Sequence, residues 1–329
     1  MLQFHLPMTQ QIVECIPNFS EGRRPKVVDA IAEAISTVPG AALLDRSSDA
    51  DHNRSVLTFA GTPQAVGSAA FTAIARAAEL IDMTRQYGEH PRMGATDVVP
   101  FVPLAGITME ECIAMAHTLG ELVGTELDIP VYLYEQAATR AQRKNLANVR
   151  RGEYEGIRDS IASDPDREPD YGPSEIGTAG ATAIGARAPL IAFNVYLTTA
   201  DIGIANKIAR TIRHSSGGLR YVKALGMLVE GRAQVSMNLT DYTHTPVARV
   251  VEAIRSESVR YGVAIHHSEI VGLIPQAALF DAAQSHLQLD QFETDQILEK
   301  RLATAALPQP DFIEAIAAGK PAPVGGSGC

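Results

Sequence analysis

The chain has 329 residues, 46% of them hydrophobic and 20% charged, enough for one large or two medium globular domains. A net charge of -10, no compensating basic run and no tryptophan argue against a nucleic-acid surface, since neither a phosphate track nor a stacking platform is present. No apolar run reaches membrane-spanning length, and three scattered cysteines, Cys15, Cys112 and Cys329, make no disulfide framework, so a reducing cytoplasm is expected.

In chain order, residues 11–17 read as a first strand closed by Pro17, and Asn18-Phe19-Ser20-Glu21-Gly22 as a polar turn. Apolar residues at 27, 28, 31 and 35 form a helical stripe. Strands at 41–44 and 55–60 flank a loop rich in Asp and Ser. Thr62-Pro63 opens an alanine-rich helix to about residue 81. The turn Gly88-Glu89-His90-Pro91-Arg92-Met93-Gly94 precedes a strand at 98–102. Thr108 with Glu111 is a capping-box pattern for a helix to about 126, followed by a strand at 131–134. Residues 137–150 read as a polar surface helix. The stretch 160–173, rich in proline and acids, reads as a linker or long connecting loop.

Beyond it, 172–185 is rich in Gly, Ala and Thr, and 190–197 is a strong strand. A helix at 200–214, strands at 222–229 and 232–239, and a helix at 246–261 follow. A short strand at 263–265, a loop at 270–275 and helices near 277–287 and 294–305 complete the pattern. Alternating strands and helices in both halves predict an α/β layered fold with mixed sheets and helices covering them.

The chemistry-bearing residues concentrate in three places. His90, between Glu89 and Arg92, has a side-chain pKa range suited to taking and returning a proton. Asp45, Asp49 and Asp51 lie in a loop without EF-hand spacing. Arg54, just before an apolar strand, is a candidate clamp for a substrate carboxylate. The glycines of 172–185 lack both the GxGxxG and the P-loop pattern, but allow close backbone approach to a flat or anionic ligand, or a hinge. No CxxC, HExxH or GxSxG occurs, and Cys15 and Cys112 sit in apolar settings that suit buried, inert thiols. Neighbouring His266 and His267 fall on opposite faces if their segment is a strand, and read as non-ligands.

Val13-Glu14-Cys15-Ile16-Pro17-Asn18-Phe19-Ser20-Glu21-Gly22, His52-Asn53-Arg54-Ser55, Ile81-Asp82-Met83 and the Gly88–Gly94 turn together resemble the glutamate formimidoyltransferases, the folate enzymes of histidine breakdown. The likeness continues through Pro130-Val131-Tyr132-Leu133-Tyr134, Arg151-Gly152-Glu153-Tyr154-Glu155-Gly156, Gly180-Ala181-Thr182, Ala233-Gln234-Val235-Ser236-Met237-Asn238 and Ser268-Glu269-Ile270-Val271-Gly272-Leu273-Ile274-Pro275. It implies two α/β subdomains, residues 1–172 and 173–305, with sheets facing each other around a folate cleft, in a cytoplasmic homodimer. It implies transfer of a formimidoyl group from N-formimidoyl-L-glutamate to N5 of tetrahydrofolate as co-substrate, without a metal, a nucleic acid or a membrane. His90 takes the place of the family's catalytic histidine, with Asp45 and Asp49 beside it. Asn18, Arg54, Glu89, Arg92, Gly172, Pro173, Thr178, Gly180 and Thr182 fall on substrate- or folate-binding segments.

Three departures accompany the likeness. Asp45-Arg46-Ser47 lacks the second carboxylate of the D-x-D found in animal members, so Asp49 is its stand-in. The Gly172–Gly180 loop is one residue shorter than usual. Residues 306–329 resemble the opening of a cyclodeaminase domain. The alternatives are a glutamate formyltransferase using 5-formyltetrahydrofolate and a catalytically silent folate-binding protein.

Overall fold

The computed structural model describes residues 11–88 and 91–304; Glu89, His90 and the tail from residue 305 lie outside the described residues. The chain runs β1 (Ile12–Cys15), β2 (Asn18–Phe19), α1 (Pro25–Ser36), β3 (Ala41–Asp49), β4 (Arg54–Gly61) and α2 (Pro63–Leu80). There follow β5 (Thr96–Ala105), α3 (Met109–Glu126), β6 (Val131–Glu135), α4 (Leu146–Val149), α5 (Glu153–Ser160) and β7 (Thr182–Ala186). It continues with β8 (Ile191–Leu197), α6 (Ile202–Ile212), β9 (Val222–Val229), β10 (Arg232–Leu239), α7 (Val247–Arg260), β11 (Ile265–Val271), α8 (Gln276–Leu287) and α9 (Leu298–Thr304).

Local chemistry sets these boundaries. Thr62 caps α2 through Ala65 N, with Pro63 in the first turn. Both arms of the Thr108/Glu111 capping box are made at α3. The expected surface helix at 137–150 is instead a 3-10 turn, Ala141–Lys144, and the short α4. Asn145 breaks the run because its side chain caps Ala147 N rather than continuing the helix. Arg143 in that segment is buried and pairs with Asp170 at 2.6 Å.

Seven strands form the first sheet, in the order β1-β4-β2-β5-β7-β6 with β3 outside β4. Only the pairings of β7 with β5 and β6 are parallel. Val13, Cys15, Phe19, Leu57, Phe59, Val99, Phe101 and Leu133 share one face and are buried with Ile31, Ile35, Ile74 and Val123 of α1, α2 and α3. Each such aliphatic or aromatic side chain contributes about 1.5–3 kcal/mol of burial free energy. By alternation, Glu14, Asn18, Arg54, Val56 and Thr58 belong to the opposite face.

A bulge in β3 decides what joins them. Leu43 pairs with Phe59 and Asp45 with Thr58, so Leu44 is the extra residue. A one-residue slip exchanges the two faces of a strand. Beyond the bulge Arg46 therefore reaches Asp29 of α1 at 2.5 Å, and Ser48 meets Ser55. Asp45, Ser47 and Asp49 fall on the polar face with Thr58, Val56 and Arg54.

The second sheet has the order β11-β8-β10-β9 and is antiparallel throughout, not mixed. Its hairpin turns at Glu230 and Gly231, both at positive φ (48° and 76°). Ile191, Phe193, Val195 and Leu197 of β8 are buried, and α6 and α7 lie against this sheet. Because β7 pairs in the first sheet, the change of sheet falls between residues 186 and 191, later than the linker at 160–173 suggests. One compact unit holds both sheets and ends at Pro275; α8 and α9 belong to a second, where the Phe280 and Phe292 rings meet edge-on at 6.4 Å.

β11 is longer than expected and takes in the segment read as a loop up to Val271. A register shift between Ile265 and His267 brings the His266 and His267 rings together, Nδ1 to Nδ1 at 2.8 Å, instead of sending them to opposite faces. No helix among the described residues is long and apolar enough to cross a membrane.

Candidate active site

Three polar motifs, distant in sequence, are hydrogen-bonded into one frame at the ends of β2, β4 and β5. Ser20 donates its backbone N–H to Ala95 O (3.0 Å) and its hydroxyl to Gly94 O (2.7 Å). Asn53, in the left-handed region at φ 49°, accepts from Gly22 N and donates to Tyr87 O, each at 3.0 Å. Ser55 donates to Glu21 O and Gln86 to Ser20 O. Glu21 is almost fully buried, and its carboxylate accepts from Arg23 N, Arg24 N and Arg24 Nε, which fixes the turn into α1.

The loop that carries His90 is held on both sides of it. A Cβ on Gly88 would come within 2.8 Å of the Asn53 Cβ, so only glycine fits there. Arg92 donates through Nε and Nη2 to Gln86 O and through Nη1 and Nη2 to Glu153 and Glu155. Tyr154 N donates to Arg92 O at 2.8 Å. The structure thus commits Arg92, expected as a substrate contact, to staking this loop against α5.

Four buried side-chain polar atoms among the described residues have no hydrogen-bond partner: Asn18 Oδ1, Arg54 Nε, Thr96 Oγ1 and Arg150 Nε. All are close to the three-motif frame. Asn18 is the pairing partner of Val56 and Val98, and Thr96 pairs with Phe19. Arg150 is ion-paired to Asp97, whose other oxygen accepts from Met93 N at 3.0 Å. Buried polar groups are nearly always satisfied, so a cluster of orphans points to a ligand that completes them. Burial, together with the neighbouring Arg150, pushes the Arg54 guanidinium down to about 10, against the pull of Asp97 and Asp49. It stays cationic at neutral pH and desolvated, a condition that strengthens a bond to an incoming carboxylate. Burial likewise raises the Glu14 carboxyl, partly offset by Arg187.

Asp45 sits on this face, and a Cβ on Gly272 would lie 3.8 Å from its Oδ2, so the end of β11 comes close to it. Asp49 is engaged otherwise. Its Oδ1 accepts from Asp51 N and His52 N, both at 2.9 Å, and its Oδ2 meets His52 Nδ1 at 2.8 Å. Burial alone would raise its carboxyl, but these bonds from His52 and Asp51 hold it below the usual range. A depressed carboxylate stabilises the fold above its unfolded pKa and loses that contribution as pH falls through its lower folded value. At this exposed turn we expect Asp49→Ala to cost about 0.5–1 kcal/mol at pH 7. Urea midpoints of the two proteins should converge as the pH is lowered past that point.

The glycine segment differs most from expectation. Gly180 has φ +75° and bridges Gly94, and a Cβ on it would lie 2.6 Å from Gly94 Cα. Gly172 has φ +82°, and its Cβ would lie 2.5 Å from Ile129 O. The close approach these glycines allow is to the chain's own backbone. Thr182 is buried at the start of β7, Thr178 O accepts from Met83 N at 2.8 Å, and Pro173 is half-buried. Cys15 and Cys112 are buried, and burial pushes both thiols up, Cys112 to about 11.

Arg150 is the functional-site candidate that the sequence pattern hid, because it falls at the end of the stretch 137–150 that reads as a polar surface helix. The available signal was Asp97 immediately before the apolar run Val98-Val99-Pro100-Phe101, because an acid buried there needs a cation.

The family described as "Formiminotransferase domain, N-terminal subdomain" matches residues 12–187, and "Formiminotransferase domain" matches 192–307. The chain is 50% identical over 296 residues to a protein of Streptococcus pyogenes serotype M1 named glutamate formimidoyltransferase, covering 89% of this chain and 99% of that one. A Thermoplasma acidophilum protein of the same name is 48% identical, over 90% and 98% of the two chains. The formimidoyltransferase-cyclodeaminase of Gallus gallus is 42% identical over 85% of this chain and 53% of its own.

Proposed function

The chain belongs to the formiminotransferase domain family, and from that premise we propose that it moves the formimidoyl group of N-formimidoyl-L-glutamate to N5 of tetrahydrofolate in histidine breakdown. The observation that carries the reading to a site is the cluster of orphaned polar atoms at Asn18, Arg54, Thr96 and Arg150.

The donor carbon is an amidine carbon, electrophilic when the group is protonated. N5 attacks it, a C–N bond forms, and the N5 proton passes to His90. The tetrahedral intermediate then breaks its bond to the glutamate nitrogen as His90 returns the proton to that leaving group. Asp45 faces the cationic carbon electrostatically, and the ternary complex supplies proximity. Asn18 and Arg54 bind substrate carboxylate and amide groups. Gly172 and Gly180 shape the backbone around the site, and Arg92 positions the loop rather than the substrate. The folate lies between the two sheets, and the working assembly is a cytoplasmic homodimer.

Purified protein supplied with tetrahydrofolate and formimidoylglutamate should form 5-formimidoyltetrahydrofolate. Turnover with 5-formyltetrahydrofolate and glutamate instead would assign a formyltransferase, and folate binding without either reaction would assign a binding protein. Arg54→Gln should raise KM for formimidoylglutamate about 10- to 100-fold, the worth of a charge-assisted bond, with kcat nearly unchanged. An unchanged KM would remove Arg54 from carboxylate binding.

A further inference from the structure

A cavity of about 390 Å3 opens where the turn before β9 meets the start of α7, and none of its lining residues belongs to the orphan cluster or its frame. Its wall includes Gly218, Arg220, Tyr221, His244, Thr245 and Arg249. Among the described residues neither Arg220 nor Arg249, both exposed, is paired with a carboxylate, although most arginines of this acidic chain are.

The nearby acid is already spent. Asp241 Oδ1 accepts from Thr243 N (3.1 Å), Thr243 Oγ1 (2.6 Å) and His244 N (3.3 Å), while Oδ2 meets His244 Nδ1 at 2.7 Å. That bond sets the His244 ring and leaves Nε2 for another partner. Thr245 donates its hydroxyl to Arg220 O at 2.7 Å, tying the two arginine-bearing segments together. Tyr221 is held at φ +63°, a costly conformation for an aromatic residue, with its ring 5.4 Å from His244. No side chain caps the first turn of α7, whose partial positive charge adds to the two guanidiniums.

We propose that this cavity binds a dicarboxylate of glutamate size, with one carboxylate on each guanidinium. Planar guanidinium forks match carboxylates in paired hydrogen bonds, and two of them on separate segments fit a ligand with two acid groups. The volume lies at the small end of the range for small-molecule sites. Glutamate as the natural occupant rests on the proposed function, because the transfer releases it; the dicarboxylate chemistry does not.

The chain has no tryptophan, so Tyr221→Trp places a single reporter in this wall. The full chain carrying it is titrated with glutarate, glutamate, acetate and inorganic phosphate. Glutarate and glutamate should give saturable emission changes, with acetate at least about tenfold weaker because it can fill only one fork. The response should vanish when Arg220→Gln and Arg249→Gln are added. No saturable response, a response that survives loss of both arginines, or tighter binding of phosphate than of glutarate would overturn the assignment.

A second measurement covers damage done by the tryptophan. In the unsubstituted protein, the His244 ring proton signal, assigned through His244→Asn, should move on glutarate addition and stay put with acetate. Formimidoyl transfer is assayed on the same samples. Transfer without a glutarate response sinks the second site alone, whereas a response without transfer sinks the proposed function alone.

Discussion

His90→Ala is expected to fold with an unchanged denaturation midpoint and to lose formimidoyl transfer by about 10²–10⁴-fold, the usual worth of a positioned general acid-base group. The reason to expect folding is the frame around the loop. Asn53 and Arg23 hold Tyr87 O, Ser20 holds Gly94 O, and Arg92 is staked to Gln86, Glu153 and Glu155. None of these bonds uses the imidazole. The loss should fall on kcat, with KM for both substrates within a few fold, since the proton is needed in transit and not for binding. His90→Gln, which keeps a polar side chain but cannot shuttle a proton, should be as impaired as the alanine variant. Transfer above a tenth of wild type in His90→Ala would remove the residue from the central role.

What the sequence could reveal of this site follows from the range of the interactions involved. Capping at Thr62 and the Thr108/Glu111 box depends on residues three apart, and both are present where expected. The helical stripe at Val28, Ile31 and Ile35 is local in the same sense and is buried as its spacing requires. The polar face of the first sheet is not local. Asp45, Ser47 and Asp49 join Arg54 there because one extra residue, Leu44, changes the parity of β3, and nothing in the sequence marks that bulge. The same blindness misplaced His266 and His267, whose segment also carries a register shift.

Arginines were the other difficulty. Arg54 and Arg92 look alike as isolated cations beside motifs. Only the fold separates Arg54, with an unpartnered Nε, from Arg92, enclosed by two glutamates sixty residues away in sequence. Asp49 offered itself as a replacement carboxylate, yet its acceptors are taken by its own turn. Asp45 shares the polar face with Glu14, and no turn among the described residues consumes its oxygens.

Gly94→Ala should damage the fold severely. Its Cβ would fall on the Ala181 carbonyl and within 3.0 Å of Ala179 O, and both neighbours are backbone, which cannot swing away as a side chain can. The two glycines of the Gly94–Gly180 bridge let the chain segments approach closely, locked by Ala95 N to Ala179 O (2.7 Å) and Ala181 N to Met93 O (2.9 Å). Relieving the overlap means parting those bonds at the point where the His90 loop enters β5 beside the start of β7. Overpacking of this kind costs about 3 kcal/mol or more. We expect a lower urea midpoint for Gly94→Ala and loss of transfer at temperatures where the protein remains folded, because Met93 and Asp97 are displaced together. Gly177→Ala is the control: its Cβ meets nothing within 4 Å, and its stability should match wild type within about 0.5 kcal/mol. Equal midpoints for the two variants would show that the Gly94–Gly180 contact is not what holds the loop.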